Sequence, residues 1–154
     1  MKRAEIVLSG VYSGYAVLNG FIASFSESEG YSSLFAERLQ LAMKEAFVNA
    51  VKHGNREREE LSVSCTFTAV AGRLLTSVRD CGTGFNPNGV PDPCDPLNRF
   101  RLSGRGLYII RSVAEIIGIE RDCYGSVLTL LYHPHSTPLY FHDRHTIYNR
   151  VNKY

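Results

Sequence analysis

The chain has 154 residues, 44% of them hydrophobic, and a formal net charge of +2. That length fits one domain, and that composition fits a chain able to bury a core. So small a charge excludes a strong electrostatic case for binding nucleic acid or a membrane surface. In chain order, "RAEIVLS" (3–9) reads as a first strand. Residues 6–26 carry no charge and follow "MKR", which raises a signal peptide or a membrane span. Ser9, Gly10, Asn19, Gly20 and Ser24 make the stretch too polar for a bilayer, so neither export nor insertion is expected. "SGYAVLNGFIASFSES" (13–28) predicts an amphipathic helix, weakened by Gly20.

Ser32 or Ser33 predicts the cap of a long helix over 34–53. Its apolar stripe is Leu34, Phe35, Leu39, Ala42, Met43, Ala46, Phe47 and Ala50, with Gly54 as its stop. "NREREE" (55–60) reads as a solvated turn. "LSVSCTFTAV" (61–70) and "RLLTSVRD" (73–80), split by "AG", predict an antiparallel hairpin.

Residues 81–103 show no clear period and hold Pro87, Pro91, Pro93 and Pro96, four of the six prolines. A loop of about 20 residues inside a compact domain usually serves as a lid or binding loop. "GRGLYIIRSVAEIIG" (104–118) predicts a helix with Leu107, Ile110, Val113, Ala114 and Ile117 on one side. "IERDC" and "SVLTLLYH" predict a closing hairpin around Tyr124 and Gly125. After His133 periodicity fades, and residues 133–154 read as a tail or appendage beyond a domain over 1–132. The order β-α-α-β-β-loop-α-β-β suggests helices on one face of a mainly antiparallel sheet. Cys65, Cys81, Cys94 and Cys123 form no C-x-x-C pair, so they read as free thiols in a reducing cytoplasm.

Three patches carry candidate chemistry. In "KEAFVNAVKHGN" (44–55), Glu45, Asn49 and His53 stand four apart and share a helix face. Taken alone, a solvent-facing polar stripe explains them best. The functional alternative is a carboxylate that deprotonates a nucleophile beside an amide oxygen suited to magnesium. In "RDCGTGF" (79–85), Asp80 reads first as a turn-capping residue. Alternatively it accepts hydrogen bonds from a planar ligand that glycines allow close to the backbone. In "SGRGL" (103–107), glycines open a helix whose free N–H groups suit phosphate. That signal is weak alone, since it is neither a P-loop nor a dinucleotide fingerprint. Together, in this order, the patches are the parts an ATP site needs.

"EAFVNAVKHGN", "DCGTGF" and "GRGL" resemble the N, G1 and G2 boxes of the GHKL (Bergerat-fold) ATPases. The E-x-x-x-N-A-x-x-H-G form, "GFNP…VPDP" and "GRGLYIIR" are most similar to bacterial anti-sigma-factor serine/threonine kinases, over about residues 3–132. The resemblance implies an α+β two-layer sandwich with a mixed, mainly antiparallel sheet and a lid over 85–103. It implies ATP and Mg2+ as cofactors, Glu45 as the catalytic carboxylate and Asn49 as the magnesium ligand. Asp80 would take the adenine amino group, with Gly82, Gly84 and Phe85 shaping the pocket. Gly104, Arg105, Gly106 and Leu107 would wrap the phosphates, and His53 would line or brace the pocket. The implied substrate is a Ser or Thr of a STAS-type anti-anti-sigma protein, and a sigma factor is the second partner. The implied assembly is a homodimer, without direct contact to nucleic acid or membrane. Cys81 stands where a polar or charged residue is expected, and Asn86 replaces an aspartate. The alternatives are a nucleotide-dependent binding module with little kinase activity, or an isolated histidine-kinase-like ATPase domain.

Overall fold

A computed structural model describes residues 1–82, 104–122 and 124–135, with the side chains of Arg105 and Leu107 left aside. Its elements are β1 (Lys2–Ser9), α1 (Gly14–Ser28), α2 (Ser33–Asn49), β2 (Ser62–Val70), β3 (Arg73–Asp80), α3 (Gly104–Val113), β4 (Glu115–Asp122) and β5 (Gly125–Tyr132). A π-helical turn, Ala50–Gly54, continues α2. The strands form one sheet in the order β1-β2-β3-β5-β4. All four pairings are antiparallel, so the described sheet is wholly antiparallel rather than mixed.

Strand alternation decides what the sheet buries. Val63, Cys65 and Phe67 of β2, Leu74 and Val78 of β3, and Leu130 and Tyr132 of β5 all turn inward. Leu18 and Ile22 of α1, Leu39, Met43 and Phe47 of α2, and Ile110 of α3 complete that core. Burying a side chain of this size contributes roughly 1.5–3 kcal/mol. The other sheet face carries polar residues, among them Thr66 and Ser77, whose hydroxyls pair at 2.5 Å.

The Ser32 hydroxyl accepts from the Phe35 N–H at 3.2 Å and caps α2 as predicted. Leu34, placed in the apolar stripe by its spacing, is half exposed instead. The predicted α-helical run to residue 53 stops at Asn49 and widens into the π turn, where the Asn55 N–H donates to the Ala50 carbonyl at 2.7 Å. The chain then reverses through Arg56 and Glu57, both at positive φ. Gly54 is therefore not a left-handed stop; its place is set by a neighbour described below. The predicted helix over 104–118 ends at Val113, and residues 115–118 belong to β4. Ile116 pairs with Leu130, and a bulge at 117 leaves Ile117 half exposed. Cross-strand burial outweighs the helical spacing there.

Candidate functional site

The last turn of α2, the π turn, the end of β3 and the β4–β5 hairpin surround a cavity of about 430 Å³. Ala46, Ala50, Val78, Ile119 and Leu128 give it apolar walls, while Asn49, His53, Asp80, Arg121 and Ser126 give it polar ones. That size and mixture suit a small-molecule ligand.

Asp80 is the last residue of β3 and is buried. Its Oδ1 accepts from the Gly82 N–H at 3.2 Å and from the Ser126 N–H at 3.0 Å. Its Oδ2 accepts no hydrogen bond among the described residues. Burial pushes the carboxyl above its ordinary range; the two N–H donors and the charges of Arg121 and Arg79 partly oppose that shift. Glycines make room for the group. A methyl on Gly54 would overlap the Asp80 carboxyl, one on Gly82 would overlap the Gly54 carbonyl, and one on Gly125 would overlap the Asp80 carbonyl. Gly125 is also at φ +142°, which disfavours any side chain. One oxygen of Asp80 is thus fixed by backbone, while the other takes no hydrogen bond from the described residues.

Asn49 ends α2, is buried, and has an amide Nδ2 with no hydrogen-bond partner among the described residues. A buried polar group without a partner calls for an explanation, and here the group stands on a cavity wall. Its oxygen and nitrogen exchange by rotation without a change of shape, so either can face the cavity. His53 is exposed and lines the same cavity, while Gly82 borders the smaller hollow beside Asp80. Glu45 is half-buried one turn before Asn49 and is not among the residues lining the cavity. Gly104–Leu107 form the first turn of α3, where Gly106 is buried, and α3 packs on α2. Gly84, Phe85, Asn86, the lid over 85–103 and most of the tail lie outside the described residues.

Residues 15–132 match the family described as the histidine kinase-like ATPase domain. The chain belongs to this family. It is 25% identical to the serine-protein kinase RsbW of Listeria monocytogenes, over 72% of this chain and 74% of that protein. The RsbW of Bacillus thuringiensis is 25% identical over 85% of each chain. The crystal structure of the RsbU and RsbW domains of a Mycobacterium tuberculosis protein superposes with a TM-score of 0.56. That match is 18% identical and covers 86% of this chain and 32% of the other, so it speaks for the fold.

The residues of this histidine kinase-like ATPase domain fit ATP. Among the described residues, Asp80 Oδ2 accepts no bond at one part of the cavity, and Asn49 Nδ2 donates none at another. Among the described residues no cluster of three or more His, Cys, Asp or Glu could hold a metal. The Asn49 amide oxygen could serve as one ligand to a magnesium ion held mainly by phosphates and water. No described helix is long and apolar enough to cross a membrane.

Some participants escaped the sequence reading. Asn55 belongs to the run whose composition predicts a solvated turn, yet it is fully buried and bonded to the Asp80 turn. The abrupt change from an apolar helix to a charged run was its one signal. Ser126 acts through its backbone N–H, which leaves no trace in residue type. Arg121 stands in the predicted strand "IERDC" and lines the cavity wall, which its residue type alone does not indicate.

Proposed function

We propose that this protein is an ATP-dependent serine/threonine kinase of the RsbW type. Its substrate is a Ser or Thr hydroxyl on a STAS-type anti-anti-sigma protein. Its second partner is a sigma factor, which it holds when the first is phosphorylated. The observation that carries this reading is the pairing of a half-satisfied Asp80 carboxylate with an orphan Asn49 amide on one cavity. The kinase names of its relatives support the class of reaction.

The residues divide the work as follows. Asp80 Oδ2 accepts from the adenine amino group, and the apolar walls cover the base. Asn49 and the N–H groups opening α3 position the phosphates. When bound, magnesium supplies charge neutralisation to the phosphate oxygens. Glu45, on the same helix face as Asn49, receives the proton of the substrate hydroxyl. The hydroxyl oxygen forms its bond to the γ-phosphorus as the bond to the β–γ bridging oxygen breaks, and ADP leaves. Gly104–Leu107 hold the triphosphate at the start of α3, and the active form is a cytoplasmic homodimer.

A second reading is a nucleotide-dependent module that sequesters its partner and transfers little phosphate. The position of Glu45 off the cavity wall favours it. Incubation with γ-labelled ATP and the candidate STAS protein separates the two. The kinase reading expects label on the STAS protein, with loss of label in Glu45→Ala. Tight partner binding with no label would select the sequestering module.

A further inference from the structure

Asn55 begins a charged run, yet none of it is exposed. Both of its side-chain hydrogen bonds among the described residues go to backbone. Nδ2 donates to the Ser62 carbonyl at 3.0 Å, and Oδ1 accepts from the Cys81 N–H at 2.9 Å. Its own N–H donates to the Ala50 carbonyl at 2.7 Å, and its carbonyl accepts from the Arg58 N–H at 3.2 Å. One residue thus ties the end of the π turn to the start of β2 and to the residue after Asp80. Cys81 stands between Asp80 and Gly82, and the Gly82 N–H orients the Asp80 carboxylate. Through Ala50, the same tie reaches the residue following Asn49.

We infer that Asn55 is a positioning residue for nucleotide binding, setting the spacing between Asn49 on the helix and Asp80 on the strand. This rests on the nucleotide reading above. A primary amide suits the place because it donates and accepts at once. An ionised carboxylate only accepts, and would face the Ser62 carbonyl with no proton between them. A protonated carboxyl restores both bonds, with its O–H to Ser62 and its C=O to Cys81. Burial and the facing carbonyl favour that neutral form. Asn55→Asp should therefore regain nucleotide affinity as the pH falls, whereas general damage to the fold would not be mended by acid. The titratable and charged groups around this knot include His53, Arg56, Glu57, Arg58, Asp80 and Cys81, all present in wild type and variant alike, so the ratio of variant to wild type isolates the new carboxyl.

The test is titration of the full chain with a fluorescent ATP analogue from about pH 8 down to about pH 5.5, with a melting curve at each point. Wild type, Asn55→Asp and Asn55→Ser are compared. Asn55→Asp is expected to bind at least about tenfold more weakly at the upper pH, with most of that deficit gone at the lower. Asn55→Ser, too short to reach both partners, is expected to stay folded and bind at least about tenfold more weakly throughout. A folded variant that binds like wild type, or an Asn55→Asp deficit constant with pH, overturns the positioning role. If Asn55→Asp does not fold at the upper pH, Asn55→Ser decides. If neither folds, Asn55 serves the fold alone and the inference falls. Failure of wild type to bind the analogue overturns the nucleotide reading and this inference together, whereas binding by wild type matched by both variants overturns only this one.

Discussion

Asp80→Asn separates binding from stability. In the folded protein the Asp80 carboxyl sits above its ordinary range because burial disfavours its charge. A raised carboxyl contributes stability in its neutral form. That stability is present below the ordinary value of 3.8 and is lost as pH rises through the higher folded value. At neutral pH ionisation of this carboxyl therefore works against the fold, in the direction that burial sets. An amide keeps an oxygen for the Gly82 and Ser126 N–H groups and removes the charge. It places an N–H₂ where Oδ2 stood, facing the adenine amino group donor to donor. A hydrogen bond to a charged group is worth about 1.5–3 kcal/mol, so ATP affinity should fall between about tenfold and somewhat over a hundredfold. Calorimetric titration with Mg-ATP reads the affinity, and thermal melting at neutral pH reads the fold. The expected result is weak binding with a melting temperature equal to or above wild type. Unchanged affinity would move the adenine contact elsewhere. Lost affinity with an equally large loss of stability would refute the separation of roles.

Glu45→Ala should bind ATP normally and lose phosphoryl transfer by roughly 10²–10⁴-fold, read by label transfer to the STAS protein. Asn49→Ala removes an amide whose Nδ2 has no partner among the described residues. Its melting temperature should change little, while the enhancement of nucleotide binding by magnesium disappears in titrations with and without the metal. Gly54→Ala pushes a methyl into the Asp80 carboxyl. It should lose about 1–3 kcal/mol of stability in urea unfolding and bind ATP more weakly as well.

The parts of this protein that local pattern dictates were legible in its residues. The Ser32 cap, the buried stripe from Phe35 to Phe47 and the two hairpins follow from period and turn chemistry. The parts set by distant neighbours were not. Ile116 and Ile117 continue a helical spacing, but pairing with β5 claims that segment for the sheet. Gly54 looks like a helix stop, whereas its size answers to the Asp80 carboxyl, far off in the chain. Asn55 looks solvated, because nothing nearby in sequence shows that Ser62 and Cys81 will close over it. Asn49 and Asp80 were singled out for their types and spacing, and the fold places both on one cavity. Glu45 shares the face of Asn49 in the helix, yet it does not line that cavity.

The central claim is that this cavity takes the adenine nucleotide through Asp80. Calorimetric titration of the wild-type chain with Mg-ATP, and in parallel with Mg-GTP, tests it most directly. The account predicts saturable binding of ATP at one site per chain. GTP should bind at least about tenfold more weakly, because guanine presents a carbonyl oxygen to the Asp80 carboxylate where adenine presents an amino group. Equal affinity for the two nucleotides, or binding of neither, would contradict it.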